Sequence, residues 1–470
     1  MKIERFEDPG LAQYSYLIAS KGQAVVIDPR RDIDVYMDYA DSNHLKITHI
    51  LETHIHADYA SGAVELAEAT GAELWLSGHD EDEDYRYNFP HDQFRDGEEL
   101  MAGNARIVAL HTPGHTPEHL SFLVYDQHRC GYPLALLSGD LLFVGSLGRP
   151  DLLGEGAQRQ LAAQLYDSIH RKIATLPDGV EIHPAHGAGS LCGAGMADRP
   201  QSTLGYERSC NIFMAGRSRD EFAKTILATL PPFPDYYRRM KRINAEGPKR
   251  LHGIPGGKKL PPAEFRALIE SPEAVVIDLR RPEAYGGAHI PGAFNIGAGP
   301  NLSMWASWVV PYDRPILLVG DNAVNLEEAR RALIRVGLDD VVGYLDGGMA
   351  SWIEAGFEQA HVPQISVGEL YKERGRRPLV LDVRSDTEWS AGHIEGAVHI
   401  PAGDLPKRAS ELIPGSPIHV ICGSGYRSSI AAGVLRRAGF ENVVNVVGGM
   451  GAWNRQRLPV VKETPQMSRV

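Results

Sequence analysis

The stretch Thr53-His54-Ile55-His56-Ala57-Asp58-Tyr59-Ala60-Ser61-Gly62 sets two imidazoles two residues apart and a carboxylate two further on. Neutral imidazole and carboxylate together suit zinc, iron and similar divalent ions. Three later stretches carry the same residue types. Thr112-Pro113-Gly114-His115-Thr116 puts a histidine in a Pro-Gly turn, Ser138-Gly139-Asp140 ends an apolar run on a carboxylate, and Pro184-Ala185-His186-Gly187 ends another on a histidine. A second chemistry stands near the far end, where Cys422-Gly423-Ser424-Gly425-Tyr426-Arg427-Ser428-Ser429 sets a thiol in a glycine-rich loop. Backbone N–H groups, the positive end of the following helix and Arg427 would all face that sulfur. This suits a thiolate nucleophile and an anionic group carried on it. A cysteine kept only for packing would need neither the glycine-rich turn nor the arginine.

The elements that must position these residues are legible as alternating apolar runs and turns. Each metal-type motif follows a strand-like run: residues 47–51, 107–110, 134–137 and 179–182. Residues 63–69 carry helical spacing, so the first histidine pair sits on a strand-to-helix loop, where sites commonly lie. One such junction is ordinary; four, each delivering His or Asp, are hard to explain as solvated loops. Upstream, residues 14–18 and 24–27 flank a Lys21-Gly22 turn and read as a hairpin, with a helix over 32–39. Residues 1–245 are therefore expected to form an α/β domain of two sheets covered by helices. His44, His49, His79, His91, His128 and His170 have no partner spacing and read as surface or satisfied core residues. The acidic run at 80–84 reads as a solvated surface. Residues 246–262, with four glycines and four prolines, read as a linker.

Beyond it the chain repeats. Val275-Val276-Ile277-Asp278-Leu279-Arg280 leads to His289-Ile290-Pro291-Gly292-Ala293, and Val380-Leu381-Asp382-Val383-Arg384 leads to His393-Ile394-Glu395-Gly396-Ala397. Both Asp-to-His spacings are eleven residues, 104 positions apart. Pro315-Ile316-Leu317-Leu318-Val319-Gly320 likewise matches Pro417-Ile418-His419-Val420-Ile421-Cys422, and Gly347-Gly348-Met349 with Trp352 matches Gly448-Gly449-Met450 with Trp453. Two copies, 263–358 and 364–462, imply a duplicated parallel-sheet domain with crossover helices. In the first copy the loop reads Gly320-Asp321-Asn322-Ala323-Val324-Asn325, with neither thiol nor arginine. It cannot run covalent sulfur chemistry, and a spacer or docking role fits it better.

Composition bounds the rest. The 470 residues are 43% hydrophobic and 23% charged with a net charge of −12, which suits about three soluble domains and offers no basic stripe for nucleic acid. No apolar run approaches the roughly 18 residues of a membrane span, and acids stand where a signal peptide would need an apolar core. Four cysteines (Cys130, Cys192, Cys210 and Cys422) exclude a disulfide framework and point to the reducing cytoplasm. The sequence leaves homo-oligomer formation open.

The four His/Asp motifs resemble those of the metallo-β-lactamase superfamily, in particular its persulfide dioxygenases, and the two repeats resemble rhodanese domains. The order of the parts resembles bacterial fusions of a persulfide dioxygenase with an inactive and an active rhodanese. The resemblance implies an αββα sandwich followed by two parallel-sheet α/β domains. It implies one Fe(II), held by His54, His115 and Asp140, with three positions left for substrate sulfur, O2 or water. Zinc hydrolases of the superfamily close His-x-His-x-Asp with a histidine that serves a second metal; here Tyr59 stands there, in keeping with a mononuclear site. His56, Asp58 and His186 then orient ligands and hold water or substrate, with His56 as a metal ligand the alternative that some relatives suggest. Gly148-Arg149-Pro150-Asp151 resembles the dioxygenase pattern Gly-Arg-x-Asp; Arg149 either binds the carboxylate of a thiol cofactor or pairs with Asp151. Cys192 and Cys210 follow His186 and could act near the iron, but a buried, inert thiol is the plainer reading of each.

At the thiol site the resemblance assigns Cys422 and Arg427 to catalysis and Gly423, Ser424, Gly425 and Tyr426 to substrate binding. The loop holds four residues between Cys422 and Arg427, as in rhodaneses; related phosphatases hold one more. The implied activity oxidises a thiol persulfide (of glutathione, coenzyme A or similar) with O2 to sulfite, and exchanges sulfane sulfur with sulfite and thiosulfate in sulfide detoxification. Two rivals stand beside it: a glyoxalase-II-like hydrolase with two zinc ions, and a non-enzymatic sulfide-responsive scaffold.

Overall fold

The computed structural model describes residues 1–462 other than 82, 83, 323, 377, 414 and 416. Parts of the acidic run and of the first-copy loop thus lie outside the described residues. Two compact units result: Met1–Ile254 with Arg331–Gly337, and Pro255–Arg330 with Leu338–Val470. Both rhodanese-type copies fall in the second, apart from Arg331–Gly337 of the first copy, which groups with the first unit.

The first unit contains two six-stranded sheets. Its opening hairpin pairs Gln13–Ser20 with Gln23–Ile27 across Lys21 and Gly22, both at positive φ, the geometry of a tight hairpin turn that matches strand twist. Lys46–Leu51, Glu73–Ser77 and Asp92–Phe94 then add in parallel. The second sheet runs Ser202–Thr203, Glu181–Pro184, Ala135–Gly139, Leu120–Asp126, Ala105–His111, Glu99–Ala102. Alternation along one strand explains the layering. Tyr16 and Ile18 face a core shared with Ile107, Phe122 and Leu137, while Leu17 packs with Tyr36 and Ala63 from the helices Asp34–Ser42 and Ala63–Thr70. Leu123, Leu136 and Ile182 face the helix layer of Gln158–Asp167 and Arg219–Thr229 on the other side. Both faces of the inner strands are buried, so they read as continuous apolar runs. The result is an αββα sandwich whose motif loops gather at strand ends.

The second unit repeats one parallel five-stranded order. It runs Lys259–Leu260, Val341–Leu345, Ile316–Val319, Val275–Asp278, Phe294–Asn295, and again Gln364–Ser366, Val443–Val447, Ile418–Ile421, Leu379–Asp382, Val398–His399. The duplicated motifs prove to be scaffolding. Arg280 forks onto Asp278 and donates to the Ala288 carbonyl; Arg384 does the same to Asp382 and Gly392. His289 stacks on Tyr285 and His393 on Trp389. Trp352 and Trp453 each donate Nε1–H to a carbonyl six residues on. Residues 246–262 are not wholly linker: the helix Tyr236–Glu246 enters them, and Lys259–Leu260 is a strand paired with Tyr344 and Leu345. A two-residue strand is too short to show any period in sequence.

Candidate metal centre and thiol site

Asp28, at positive φ after the strand Gln23–Ile27, organises the histidine loop from below. Its carboxylate accepts from the Thr53 N–H (2.7 Å) and hydroxyl (2.9 Å) and meets His56 Nε2 at 3.1 Å. Because the Thr53 hydroxyl gives its proton to Asp28, it accepts from His54 Nδ1–H at 2.9 Å, leaving Nε2 of His54 with a bare lone pair. Glu118 accepts from the Ile55 N–H (2.8 Å). Asn244 accepts from Ser61 N–H and donates to the carbonyls of His56 and Tyr59.

His115 donates Nδ1–H to the Arg149 carbonyl at 2.9 Å, which again leaves Nε2 free. Gly148 permits this approach: a Cβ there would strike the Asp140 carbonyl and crowd His115 Nδ1. Asp140 Oδ2 lies 3.3 Å from His115 Nε2 and 3.9 Å from His54 Nε2. These three atoms are buried without a hydrogen-bond partner. Stranded lone pairs at such spacing are costly alone and are satisfied by one cation. Burial first, then neighbouring histidines, holds His54 and His115 well below the ordinary imidazole range, so both are neutral, as ligands must be.

Behind this triad lies a second cluster. Both nitrogens of His186 face carboxylates at 2.7 Å, Nδ1 toward Asp140 Oδ1 and Nε2 toward Asp58 Oδ2. Burial opposes its charge, but Asp140 and Asp58 outweigh that and raise it well above the usual value. Asp58, His186 and Cys192 each bring one ligand-type atom within 4.8 Å of the others, as do His54, His115 and Asp140. The Cys192 thiol lies 3.6 Å from the Tyr237 hydroxyl, and burial followed by the charges of Asp58 and Asp140 pushes it up. His56 leans on Asp28 rather than joining either cluster. Tyr59 spends its hydroxyl on the Asp28 carbonyl at 3.1 Å and packs against the His56 ring.

Arg149 departs from the role of a substrate-binding residue. It is fully buried, and its five N–H donors go to Asp151 (two), Leu191, Pro231 and Pro232. No donor is left for a cofactor carboxylate. Cys192 is buried, as expected, whereas Cys210, expected to be buried as well, is exposed near the end of the helix Leu204–Cys210. Asp28, Glu118, His119 and Asn244 went unnoticed in the sequence. His119 follows His115 by four residues and accepts from the Asp140 N–H at 3.1 Å. Asp28 ends a Val-Val-Ile-Asp run of the kind that ends at Asp278.

In the second unit Cys422 ends the strand Ile418–Ile421 and is buried. The Gly425 N–H points at its sulfur (3.1 Å), and the Ser428 hydroxyl, which donates to Asn445 Oδ1, lies 3.5 Å away. Gly425 takes φ 110°, turning the loop into the helix Tyr426–Arg437. Gly423 and Ser424 form the rest of the loop, and the Tyr426 hydroxyl donates to the Gly297 carbonyl at 3.0 Å. Arg427 does not offer an unpaired charge: it forks onto Glu388 at 2.6 and 2.7 Å. That bond is the main cause holding Glu388 down at about 2.

Residues 8–186 match the metallo-beta-lactamase superfamily, and residues 261–355 and 366–456 match the rhodanese-like domain. Hydroxyacylglutathione hydrolase of Francisella tularensis subsp. novicida (strain U112) is 32% identical over 187 residues, covering 40% of this chain and 68% of that relative. The chain belongs to the metallo-beta-lactamase superfamily. A crystal structure of a metallo-beta-lactamase from Staphylococcus aureus subsp. aureus COL shares 36% identity with it over 73% of this chain and 98% of that one, at a TM-score of 0.64. YrkF of Bacillus subtilis (strain 168), named for sulfur carriage, is 43% identical over 95 residues, 20% of this chain; the chain spans about half (51%) of that relative. A metallo-beta-lactamase domain is thus followed by two rhodanese domains. No helix among the described residues is long and apolar enough to cross a membrane.

Proposed function

We propose that this chain is a non-haem iron(II) persulfide dioxygenase joined to a sulfurtransferase. The observation that carries the reading is the bare-nitrogen state of His54 and His115 beside Asp140, with Tyr59 turned away to Asp28, in one chain with the cradled thiol of Cys422. Iron(II) held by His54, His115 and Asp140 would supply reactivity toward O2 and coordination positions for reactants. The protein's share is orientation and exclusion of water. Thr53 and the Arg149 carbonyl fix the imidazole tautomers, and all three ligands are fully buried. His186 keeps a proton between Asp140 and Asp58. The net reaction takes one thiol persulfide, one O2 and one water to thiol, sulfite and two protons.

At Cys422 the thiolate attacks the outer sulfur of thiosulfate, or the sulfane sulfur of a thiol persulfide. The S–S bond breaks, its electron pair leaves with sulfite or thiolate, and the cysteine keeps the sulfur as a persulfide. Attack by sulfite on that persulfide runs the exchange the other way and yields thiosulfate. The Gly425 N–H faces the charge on sulfur in either direction. The setting is sulfide detoxification in the cytoplasm.

A second reading, hydrolysis of a glutathione thioester at two zinc ions, is favoured by the identity to hydroxyacylglutathione hydrolase. Anaerobic purification with metal quantification, then an oxygen electrode with a panel of thiol persulfides, separates the two. Iron-dependent O2 uptake with sulfite formation is the expected result. A zinc-loaded protein that consumes no O2 and cleaves a thioester would replace the oxygenase reading with the hydrolytic one.

A further inference from the structure

We infer that Arg335, a residue of the thiol-free rhodanese copy, is a positioning residue for the metal centre: its two ends clamp the loop of Asp28 to the loop of Asp58. Arg331–Gly337 comprises the last turn of the helix Leu326–Ile334 and the turn after it, yet it groups with the first unit. An arginine at such a place is ordinarily a solvated charge that suits the negative end of the helix dipole. The matching Arg437 and Ala438 of the second copy, 102 positions on, are exposed. Arg335 and Val336 are buried.

The guanidinium meets two buried carboxylates. Nε and Nη2 donate to Asp32 at 3.0 and 2.7 Å, and Nη1 lies 3.3 Å from Asp8. Arg30 Nε also approaches Asp32, at 3.1 Å. Without Arg335 these buried acids are undercompensated, and the 28–34 loop relaxes only by moving. At its other end, the Arg335 carbonyl accepts from the Ala60 N–H at 2.8 Å. One residue therefore holds both sides of a short antiparallel bridge between Arg30 and Ser61. That bridge is flanked by Gly62 N–H on the Pro29 carbonyl and the Tyr59 hydroxyl on the Asp28 carbonyl. The two loops carry Asp28, which fixes Thr53 and with it the tautomer of His54, and Asp58, which faces His186. Gly337, at φ 72°, lets the turn approach Met240 and Ile243, on the helix that supplies Asn244; a Cβ there would lie 3.2 Å from each.

The test is anaerobic cobalt(II) titration of the full chain, stripped of metal and held well below its melting temperature. Arg335→Leu is expected to bind cobalt about tenfold more weakly than the parent, with altered visible absorption, and Arg335→Lys to recover part of the affinity. Arg331→Leu, which breaks a pair with the more exposed Asp34 on the same segment, should bind like the parent. A purely structural role would lower the melting temperature of Arg335→Leu and leave its cobalt affinity alone. That outcome, or an equal loss in Arg331→Leu, overturns the inference. Should Arg335→Leu fail to fold, hydrogen exchange of the parent answers the same question. Coupling is reciprocal, so cobalt should slow exchange at Arg335, Val336 and Gly337 and leave Ala438 and Gly439 as they were. Unchanged exchange at the first three overturns the inference. It rests on the metal triad of the proposed function and not on its chemistry: cobalt binding without O2 uptake would sink the oxygenase reading and leave Arg335 in its role, while parent-like cobalt affinity in Arg335→Leu would leave O2 uptake untouched.

Discussion

His115 gives its Nδ1 proton to the main-chain carbonyl of Arg149, 2.9 Å away. Of the two roles the sequence offers Arg149, binding a cofactor carboxylate or pairing with Asp151, the side chain takes the second, held by Asp151 and three carbonyls, while its backbone orients His115 of the candidate metal centre. Arg149→Ala should therefore cost stability, on the order of 3–5 kcal/mol for a broken buried ion pair, and lower the metal content of purified protein. Thermal unfolding with metal quantification checks this. A variant with unchanged melting temperature and metal content, and only a raised KM for thiol substrate, would return Arg149 to substrate binding.

The triad predicts a sharper loss. His115→Ala removes one of the three candidate ligands, whose other interactions are already spent, so metal content should fall about tenfold or more. Full retention of iron would remove His115 from the ligand set.

How much of this was written in the sequence differs by level. The αββα sandwich and the duplicated parallel sheets were readable because strands buried on both faces leave unbroken apolar runs, and because Asp278 and Asp382 recur in the same frame. His54, His115 and Asp140 stood out because residue type and strand-end position agree. Asp28, Glu118 and Asn244 did not, since they act through hydrogen bonds to main-chain atoms distant in sequence, and no spacing records such a bond. Arg149 was legible with its partner, since pairing with Asp151 was one of the two roles its motif offered; Arg427 was legible as a charge but not as a partner, because only the fold brings Glu388 onto its guanidinium.

Acid should weaken the metal-free protein. Burial first, and then nearby positive groups, holds His54 and His115 well below the usual imidazole range and pushes His119 down to about 3. The unfolded chain takes up protons at these residues below about pH 6.5 while the folded chain does not. Their contribution is therefore complete above that pH and drains as pH falls toward the folded values. His186 runs oppositely: its raised value gives stability that is present below about pH 6.5 and lost only as pH climbs through the folded value. His56, which Asp28 raises against the burial that opposes its charge, runs the same way as His186. The depressed imidazoles, which also include His111, His183 and His289 (the last held down to about 4 by burial), outnumber these two, so the melting temperature should drop steadily from about pH 7 to about pH 5. A flat profile across that range would contradict neutral buried imidazoles.

Cys422→Ser should abolish sulfur transfer from thiosulfate while O2 uptake with added persulfide persists. The two chemistries sit on different units of the chain, and neither ligand set includes a residue of the other. Parallel assays of thiosulfate sulfurtransfer and O2 uptake check it. Loss of both activities would show that sulfur reaches the metal centre only through Cys422.

The Arg427–Glu388 fork makes a distinction that activity loss alone cannot. If Arg427 serves transfer by bracing the loop around Cys422, breaking the fork from either side should do similar harm. Arg427→Ala and Glu388→Gln would then lower sulfur transfer to within about threefold of each other. If Arg427 instead bound the anionic sulfur species directly, Glu388→Gln would release its guanidinium and raise activity while Arg427→Ala abolished it. The fork also sets a pH limit. Glu388 is held down at about 2, chiefly by Arg427, so its contribution is whole above the ordinary glutamate value and is lost only as pH falls from about 4.3 toward 2. The loop should therefore keep its geometry across the neutral range, and any transfer activity lost between about pH 8 and pH 6 belongs to the sulfur nucleophile or its substrate rather than to this pair. A pH–rate profile of the Glu388→Gln variant that parallels the parent's above about pH 5, only lower, is the expected result. A profile displaced along the pH axis would mean that Glu388 acts on the thiol itself.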